Sequence, residues 1–135
     1  MFLQMLSKDQ QELFLELAIK AAEADGNIAL EEDNLLKLYA MEMNITPKYS
    51  TDRTIEEITN QISTCSNKKI KKIMIFEILG IIISDSVYDL REKEFVKMLS
   101  NSFKISITEV DIMLEYLNKY LAFYKEMHSF ILSEE

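Results

Sequence analysis

Several residue types on which common protein sites depend are scarce in this sequence. Its 135 residues include one Cys, one His, one Pro, two Gly and no Trp. Cys65 alone cannot form a disulfide within the chain, and His128 alone cannot supply a zinc site of the usual Cys and His type. Because Gly and Pro form turns, their shortage disfavours a sandwich or barrel of many short strands and predicts an all-α domain.

Positive charge and long apolar runs are also in short supply. Lys and Arg number 15 against 23 Asp and Glu, which gives a net charge of −8 at pH 7. This charge repels phosphate groups, so nucleic acid is not an expected partner. No apolar run approaches the ~20 residues that span a bilayer, and the N-terminus lacks the basic start and apolar length of a secretory signal. We therefore predict a cytoplasmic protein with no integral membrane segment.

The sequence does contain a series of helix signals, and 48% of its residues are hydrophobic, which suits a single domain with one core. Capping boxes are predicted at Ser7 and Gln10, at Thr54 and Glu57, and at Ser106 and Glu109. The result is an all-α bundle of six or seven helices. They are 8–24, 31–43, a short one after Thr46-Pro47, 55–65, one from Ser66 to Ile83, 89–101, and one from Ser106 with Val110, Met113, Leu114, Leu117, Leu121 and Tyr124 inside.

Residues 73–83 are apolar nearly all round, which is typical of a helix surrounded by others. We expect this helix at the centre of the domain. Glu77 interrupts the run, and a buried carboxylate must be neutral, paired or close to a metal, with a Tyr or Lys as the expected partner. Four lysines at 68–72 crowd the start of the helix against its dipole. Glu56 and Glu57 are expected to offset them, and an anionic partner is the alternative.

An internal repeat appears when the chain is shifted on itself by 60 residues, so that Asp25 meets Asp85 and Glu32 meets Glu92. The match continues to the caps Thr46 and Ser106. It predicts two related halves of one domain, 1–135, at about 8–50 and 68–120. Packing of the halves about a pseudo-twofold axis would bring the two acidic turns into comparable places.

The first copy has a helix ending in Ala-Glu-Ala-Asp25-Gly26-x-Ile28, followed by Glu32 and a leucine-rich helix that closes in Asn-Ile-Thr. This pattern resembles the TerB-like domain associated with tellurite resistance, over about residues 13–120. The resemblance implies an all-helical fold that carries the acidic turn twice, with acidic residues of both turns near a metal. The second copy departs from the pattern, since Ser86 stands where the first has Gly26.

The candidate metal ligands are Asp25, Glu32, Asp85, Asp89 and Glu92. Several converging carboxylate oxygens suit a divalent ion such as Ca²⁺, Mg²⁺ or Mn²⁺. The simpler interpretation is that these side chains only end and begin helices through local hydrogen bonds and the helix dipole.

The first turn also matches part of an EF-hand calcium loop, with Gly26 at the sixth position and Glu32 at the twelfth. The first position then falls on Ala21, which has no carboxylate. An EF-hand-like calcium-responsive protein is therefore an alternative that the loop supports only in part.

The resemblance implies a non-catalytic TerB-like stress-response module that acts through a weak metal site and protein partners. The alternative from another class is a metal-free adaptor whose acidic face binds a basic protein, and a homo-oligomer stays open. No enzyme is expected, because Cys65 should be a small buried hydrophobe and His128 should pack at the edge of the last helix. An enzymatic function would need a ligand-sized cavity that contains Cys65, His128 or Glu77.

Overall fold

The computed structural model describes residues 1–24, 30–83 and 90–134, with the backbone only at 30–33. This part of the chain begins with a 3₁₀ turn, continues as six helices and contains no strand, so the predicted all-α bundle is confirmed. In chain order the elements are the turn Leu3–Met5, α1 Lys8–Ala22, α2 Leu30–Met43, α3 Ile55–Cys65, α4 Lys68–Ile82, α5 Leu90–Phe103 and α6 Ile107–Ile131.

Helices α1 and α4 form the centre of the bundle. α1 packs against α2, α3 and α4, and α4 also contacts α5 and α6. The expected burial of 73–83 is confirmed, since most of its side chains are inaccessible and Ile78 is fully buried. α1 contributes as much to the core, because Phe14 and Leu17 also have no accessible surface. The core therefore lies around a pair of helices rather than around α4 alone.

The predicted capping boxes at α1 and α6 are both formed reciprocally. At α3 only half of the box is present. Glu57 N donates to Thr54 Oγ1 over 3.2 Å, while the Glu57 carboxylate accepts the Thr54 hydroxyl instead of a backbone N–H. α4 begins after Asn67, whose side chain accepts from Ile70 N. These caps satisfy N–H groups that a first turn leaves without partners.

Corresponding helices keep the 60-residue spacing of the sequence repeat. α1 and α4 run over 8–22 and 68–82, while α2 and α5 run over 30–43 and 90–103. The residue that follows each of α2 and α5 has a positive φ, 56° at Asn44 and 57° at Lys104. Ile45 N then donates to Ala40 O, and Ile105 N to Ser100 O, each over 2.9 Å. These are the long hydrogen bonds of a Schellman motif, and they occur at matching positions.

The prediction of a short helix after Thr46-Pro47 is wrong, since residues 46–54 contain no helix. Thr51 Oγ1 donates to Glu16 Oε1 over 2.7 Å and accepts from Arg53 N over 3.2 Å. Side-chain hydrogen bonds of this kind offer the backbone an alternative to helical ones. The segment therefore crosses from α2 to α3 as an irregular connection held onto α1.

The placement of Leu121 and Tyr124 inside the bundle is also wrong, because these side chains are 36% and 51% exposed. α6 has 25 residues, a length of about 37 Å at ~1.5 Å per residue. Its buried residues are Val110, Met113 and Leu117, all in its first half. Neither α6 nor any other helix in the described ranges is long and apolar enough to cross a membrane.

Candidate functional site

The structure describes the side chain of one of the five predicted metal ligands. Glu92 lies in the first turn of α5 and is 3% exposed. Asp25, Asp85 and Asp89 fall outside the described residues, as does the Glu32 side chain. Within the described ranges no group of three His, Cys, Asp or Glu side chains is placed to hold a metal ion. The metal site therefore stays a prediction from the sequence.

Glu77 is buried and paired, but its partner is neither a Tyr side chain nor a Lys. Its Oε1 lies 2.9 Å from the α-amino group of Met1 and accepts a hydrogen bond from Phe2 N over 2.8 Å. Glu42 also contacts the amino group, over 3.1 Å. The expected Tyr or Lys partner is wrong because the 3₁₀ turn packs on α2 and α4 and brings the chain terminus over the carboxylate.

These charges alter two neighbouring groups. Burial lowers the pKa of the Met1 amino group, but the hydrogen bonds and charges of Glu77 and Glu42 outweigh burial and raise it above its ordinary value. The pKa of the Tyr39 hydroxyl is raised, first by burial and then by the same two carboxylates. Tyr39 donates to the backbone carbonyl of Glu77 over 3.4 Å. The result is a small polar cluster under an otherwise apolar surface.

Two apolar hollows border this cluster. A groove of about 460 Å³ lies between α2, α4 and α6 and includes Glu77, Phe76 and Leu121 in its walls. A second hollow of about 400 Å³, called here the Phe76 pocket, is lined by Met1, Phe2, Phe76, Tyr116 and Tyr120. Both hollows open beside α6.

A polar cleft of about 300 Å³ lies between α1 and α3. Glu16, 7% exposed, accepts from Thr51 and lies 3.6 Å from Arg53 Nη1. Arg53 also donates to Gln61 Oε1 over 2.6 Å. The charged groups of the cleft floor are thus paired with one another, which is typical of a structural network.

Cys65 lines the rim of this cleft and is exposed, so its expected burial is wrong. It follows Ile58 and Ile62 at helical spacing, but α3 ends there and the chain turns extended at Ser66. The single histidine, His128, stacks on Tyr124 in the exposed half of α6, with ring centroids 5.9 Å apart. The sequence prediction placed His128 at the edge of the last helix, and its exposed side chain contacts Tyr124 of that helix. The cleft with Cys65 therefore has no imidazole, and the thiol and base of a nucleophile site are not brought together.

The positive start of α4 is offset by α6, not by α3. Lys68 Nζ lies 3.2 Å from Glu109 Oε1, whereas Glu56 and Glu57 were the expected partners. A hydrogen bond from Ser106 N, and then Lys68, lower the pKa of Glu109. Glu109 therefore both caps α6 and pairs with the first residue of α4.

The second half of α6 carries an exposed apolar surface, of which the sequence prediction placed Leu121 and Tyr124 inside the bundle. All residues of 118–134 are exposed. The surface, called here the α6 surface, consists of Tyr116, Tyr120, Leu121, Phe123, Tyr124, Met127, Phe130 and Ile131. Phe130 is 80% exposed. The signal in the sequence is the width of the apolar arc, which after Leu117 exceeds what one neighbouring helix can cover.

Comparison with family models, with curated proteins and with solved structures gives no match. The function is therefore argued from the residues described above.

Proposed function

We propose that the protein is a non-catalytic helical module that acts by binding other protein chains through the α6 surface. The observation that carries this proposal is the exposure of so many large apolar side chains on one helix. Five of them are aromatic, and each is at least half exposed.

The area of this surface supports binding. At ~200 Å² per aromatic side chain, the exposed fractions of these five correspond to roughly 600 Å². Leu121, Met127 and Ile131 add to it. The largest apolar patch of a typical monomer is about 300–600 Å², and a standard interface buries about 800 Å² per partner. The α6 surface thus approaches the size of one side of a stable interface.

The charges beside this surface favour a protein over a membrane. Residues 118–134 contain Lys119 and Lys125 against Glu126 and Glu134, so their formal charges cancel. Helices that lie on anionic membranes are usually rich in Lys and Arg on the polar face. The alternative predicted from the sequence is a metal-free adaptor that binds a basic protein through an acidic face. The α6 surface differs from that expectation because it is apolar and nearly neutral.

Within the described part of the chain, the two cavities that contain Cys65 and Glu77 lack the groups that covalent catalysis needs. Cys65 shares its cleft with a paired Glu16 and no histidine. Glu77 already holds an amino group and a backbone N–H. Neither arrangement has the hydrogen-bonded nucleophile and base that covalent catalysis needs.

A photo-crosslinking experiment tests the proposal in cells. Benzoylphenylalanine replaces Phe130 in the full chain, and the matched control places it at Leu38, which is 57% exposed on α2. Light-dependent adducts with any protein chain, a second copy included, are expected at position 130 and not at position 38. Absence of adducts at position 130 would rule out this function.

We propose the metal-dependent TerB-like function as a second candidate. Its support is the equal spacing of α1 and α4 and of α2 and α5, which sets residues 25–29 and 84–89 between corresponding helices. The candidate donors, Asp25, Glu32, Asp85, Asp89 and Glu92, are all carboxylates, which suits a hard divalent ion. Under this second candidate, the protein would act in the response to tellurite or other chemical stress.

Thermal unfolding with and without Ca²⁺, Mg²⁺, Mn²⁺ and Zn²⁺ tests the second candidate. A metal that binds the folded state raises the melting temperature, and Asp25→Asn with Asp85→Asn should abolish that shift. A shift confined to Ca²⁺ would favour the EF-hand-like alternative. No shift, together with a loss of about 1 kcal/mol per site in the double variant, would mean that these side chains only form local hydrogen bonds.

A further inference from the structure

We propose that the partner of the α6 surface is a second copy of this chain, whose α6 packs antiparallel against the first. This inference rests on the proposed binding function of α6. It is carried by the spacing of the exposed side chains, by the charges that flank them and by the Phe76 pocket at their base.

One exposed apolar face of α6 has the spacing of a coiled-coil seam. Its members, called here the α6 seam, are Tyr116, Tyr120, Phe123, Met127 and Phe130, separated by four, three, four and three residues. A 4-3-4-3 repeat keeps side chains on one stripe that another helix can cover. The buried residues Val110, Met113 and Leu117 form an adjacent stripe that faces the bundle and meets the seam at Met113. One helix can therefore pack on its own bundle and on a partner at once.

The flanking charges select the direction of pairing. Lys119 and Glu126 lie seven residues apart on the same edge of the seam. In an antiparallel pair the same edges of the two helices meet, so Lys119 lies beside Glu126 of the second copy, and the contact occurs twice. In a parallel pair this edge would meet the opposite edge, where Leu117, Tyr124 and Ile131 offer no charge. Lys119 now pairs with Glu115 in the same helix, but both side chains are exposed and such pairs are weak.

The antiparallel alignment also fills the Phe76 pocket. When Lys119 is beside Glu126 of the second copy, Met127 of the second copy comes level with Tyr116. Tyr116 and Tyr120 form one wall of the pocket, and Phe2 and Phe76, in edge-to-face contact at 5.6 Å, form another. A methionine side chain fills irregular apolar hollows and packs well on aromatic rings. The seam and the pocket thus form one continuous surface that is complementary to itself, as a twofold interface requires.

Sedimentation equilibrium of the full chain over a range of concentrations tests the proposal. The wild type should be a dimer, and Phe123→Asp should weaken it by at least about tenfold. Leu38→Asp is the matched control and should leave the dimer intact. A wild type that stays monomeric, or a dimer that Phe123→Asp does not weaken, overturns the proposal.

Charge reversal tests the direction without touching apolar residues. Lys119→Glu should weaken the dimer, because it sets like charges beside each other twice. Adding Glu126→Lys to it should restore wild-type affinity. Restoration is expected only for an antiparallel pair, and its failure overturns the antiparallel arrangement.

A cysteine pair provides a second test of direction. In a Cys65→Ser background, chains with Lys119→Cys and chains with Glu126→Cys are mixed and oxidised. Disulfides should join the two different chains in preference to like chains. In a parallel pair each introduced cysteine would face the opposite edge of its partner, which carries no cysteine, so the lack of this preference would overturn the antiparallel arrangement.

The outcomes separate this inference from the proposed function. If crosslinks from position 130 reach only other proteins and the chain sediments as a monomer, the binding function holds and the self-pairing falls. If no crosslink forms and the chain is a monomer, both fall.

Discussion

Two buried carboxylates of this protein, Glu16 and Glu77, each bind a group from a distant part of the chain. Glu77 of α4 binds the amino group of Met1, and Glu16 of α1 accepts from Thr51 in the connection to α3. Every deeply buried side-chain nitrogen or oxygen among the described residues has a hydrogen-bond partner. Because an unpaired buried charge is costly, these contacts fix the terminal turn and an irregular loop onto the core.

The contact between Met1 and Glu77 should make stability depend on pH. The folded state raises the pKa of the amino group above its ordinary value. The stabilisation that the charged amino group gives the folded state is therefore fully present below about pH 8. It is lost as the pH rises through the raised pKa. Glu77→Gln should lower the unfolding free energy at pH 7, and its difference from wild type should shrink by pH 9.5. Urea unfolding at several pH values measures this, with exposed Glu94→Gln as the control; a constant difference would contradict it.

Ile78 should be among the most costly side chains to truncate. It is fully buried on α4. Because Ile78→Ala loses buried apolar surface and leaves a cavity, it should lower the free energy of unfolding by about 2–5 kcal/mol. Leu38→Ala, on an exposed face of α2, should change stability by less than about 0.5 kcal/mol. Urea unfolding of both variants checks the difference. Equal effects would mean that α4 is not the buried helix.

Cys65 should react with a thiol reagent in the folded protein. Its exposure at the end of α3 predicts that native and urea-unfolded chains are labelled at rates within about tenfold. Stopped-flow labelling with a chromogenic disulfide measures both rates. Labelling that is several orders of magnitude slower in the native state would place the thiol in the interior after all.

The ends of α2 and α5 show how whole elements are set by one backbone conformation. Both helices close with a residue at positive φ, and a Schellman hydrogen bond follows from it. Residues other than Gly adopt this conformation at a cost of about 1 kcal/mol, and Asn tolerates it better than Lys. The two matching turns therefore carry different amounts of strain.

Lys104→Gly should stabilise the protein, by about 0.5–1 kcal/mol, because glycine adopts the positive φ without strain. Asn44→Gly should gain less. The control Lys97→Gly, in the interior of α5, should lose about 1 kcal/mol. Thermal melts rank the three variants. A loss on Lys104→Gly that equals the loss on Lys97→Gly would contradict the assignment of the turn.

Local signals in the sequence predict most elements, and long-range packing decides where they fail. Side chains within one turn form the caps at Ser7 and Ser106, so these helix starts were predictable. Cys65 and Tyr124 continue inward-facing stripes, yet both are exposed, because periodicity shows which way a side chain points and not whether another helix covers it. The partner of Glu77 was missed for the same reason, since no local pattern brings Met1 to α4.

At the scale of the whole molecule, the buried core and the exposed apolar surface of α6 lie on different parts of the chain. α1 and α4 are surrounded, while the second half of α6 has none of its residues buried. The residues that stabilise the fold are therefore different from the residues that are available for contact with a partner. A variant in the core should therefore change stability, whereas a variant in the α6 seam should change association with little effect on the unfolding of the bundle.

Because residues 118–134 of the described chain are all exposed, the second half of α6 gains little stability from burial against the bundle. Isolated helices shorter than about 12–15 residues are marginal in water, and residues 118–131 are near that limit. In dilute samples the amides of this segment should exchange with solvent far faster than those of Val110 to Leu117. A protease should accordingly cut first within 118–131. In limited proteolysis, a higher protein concentration should slow that cleavage and leave the cleavage of the core unchanged. The rate at which the chain is degraded would then fall as the concentration of the protein rises.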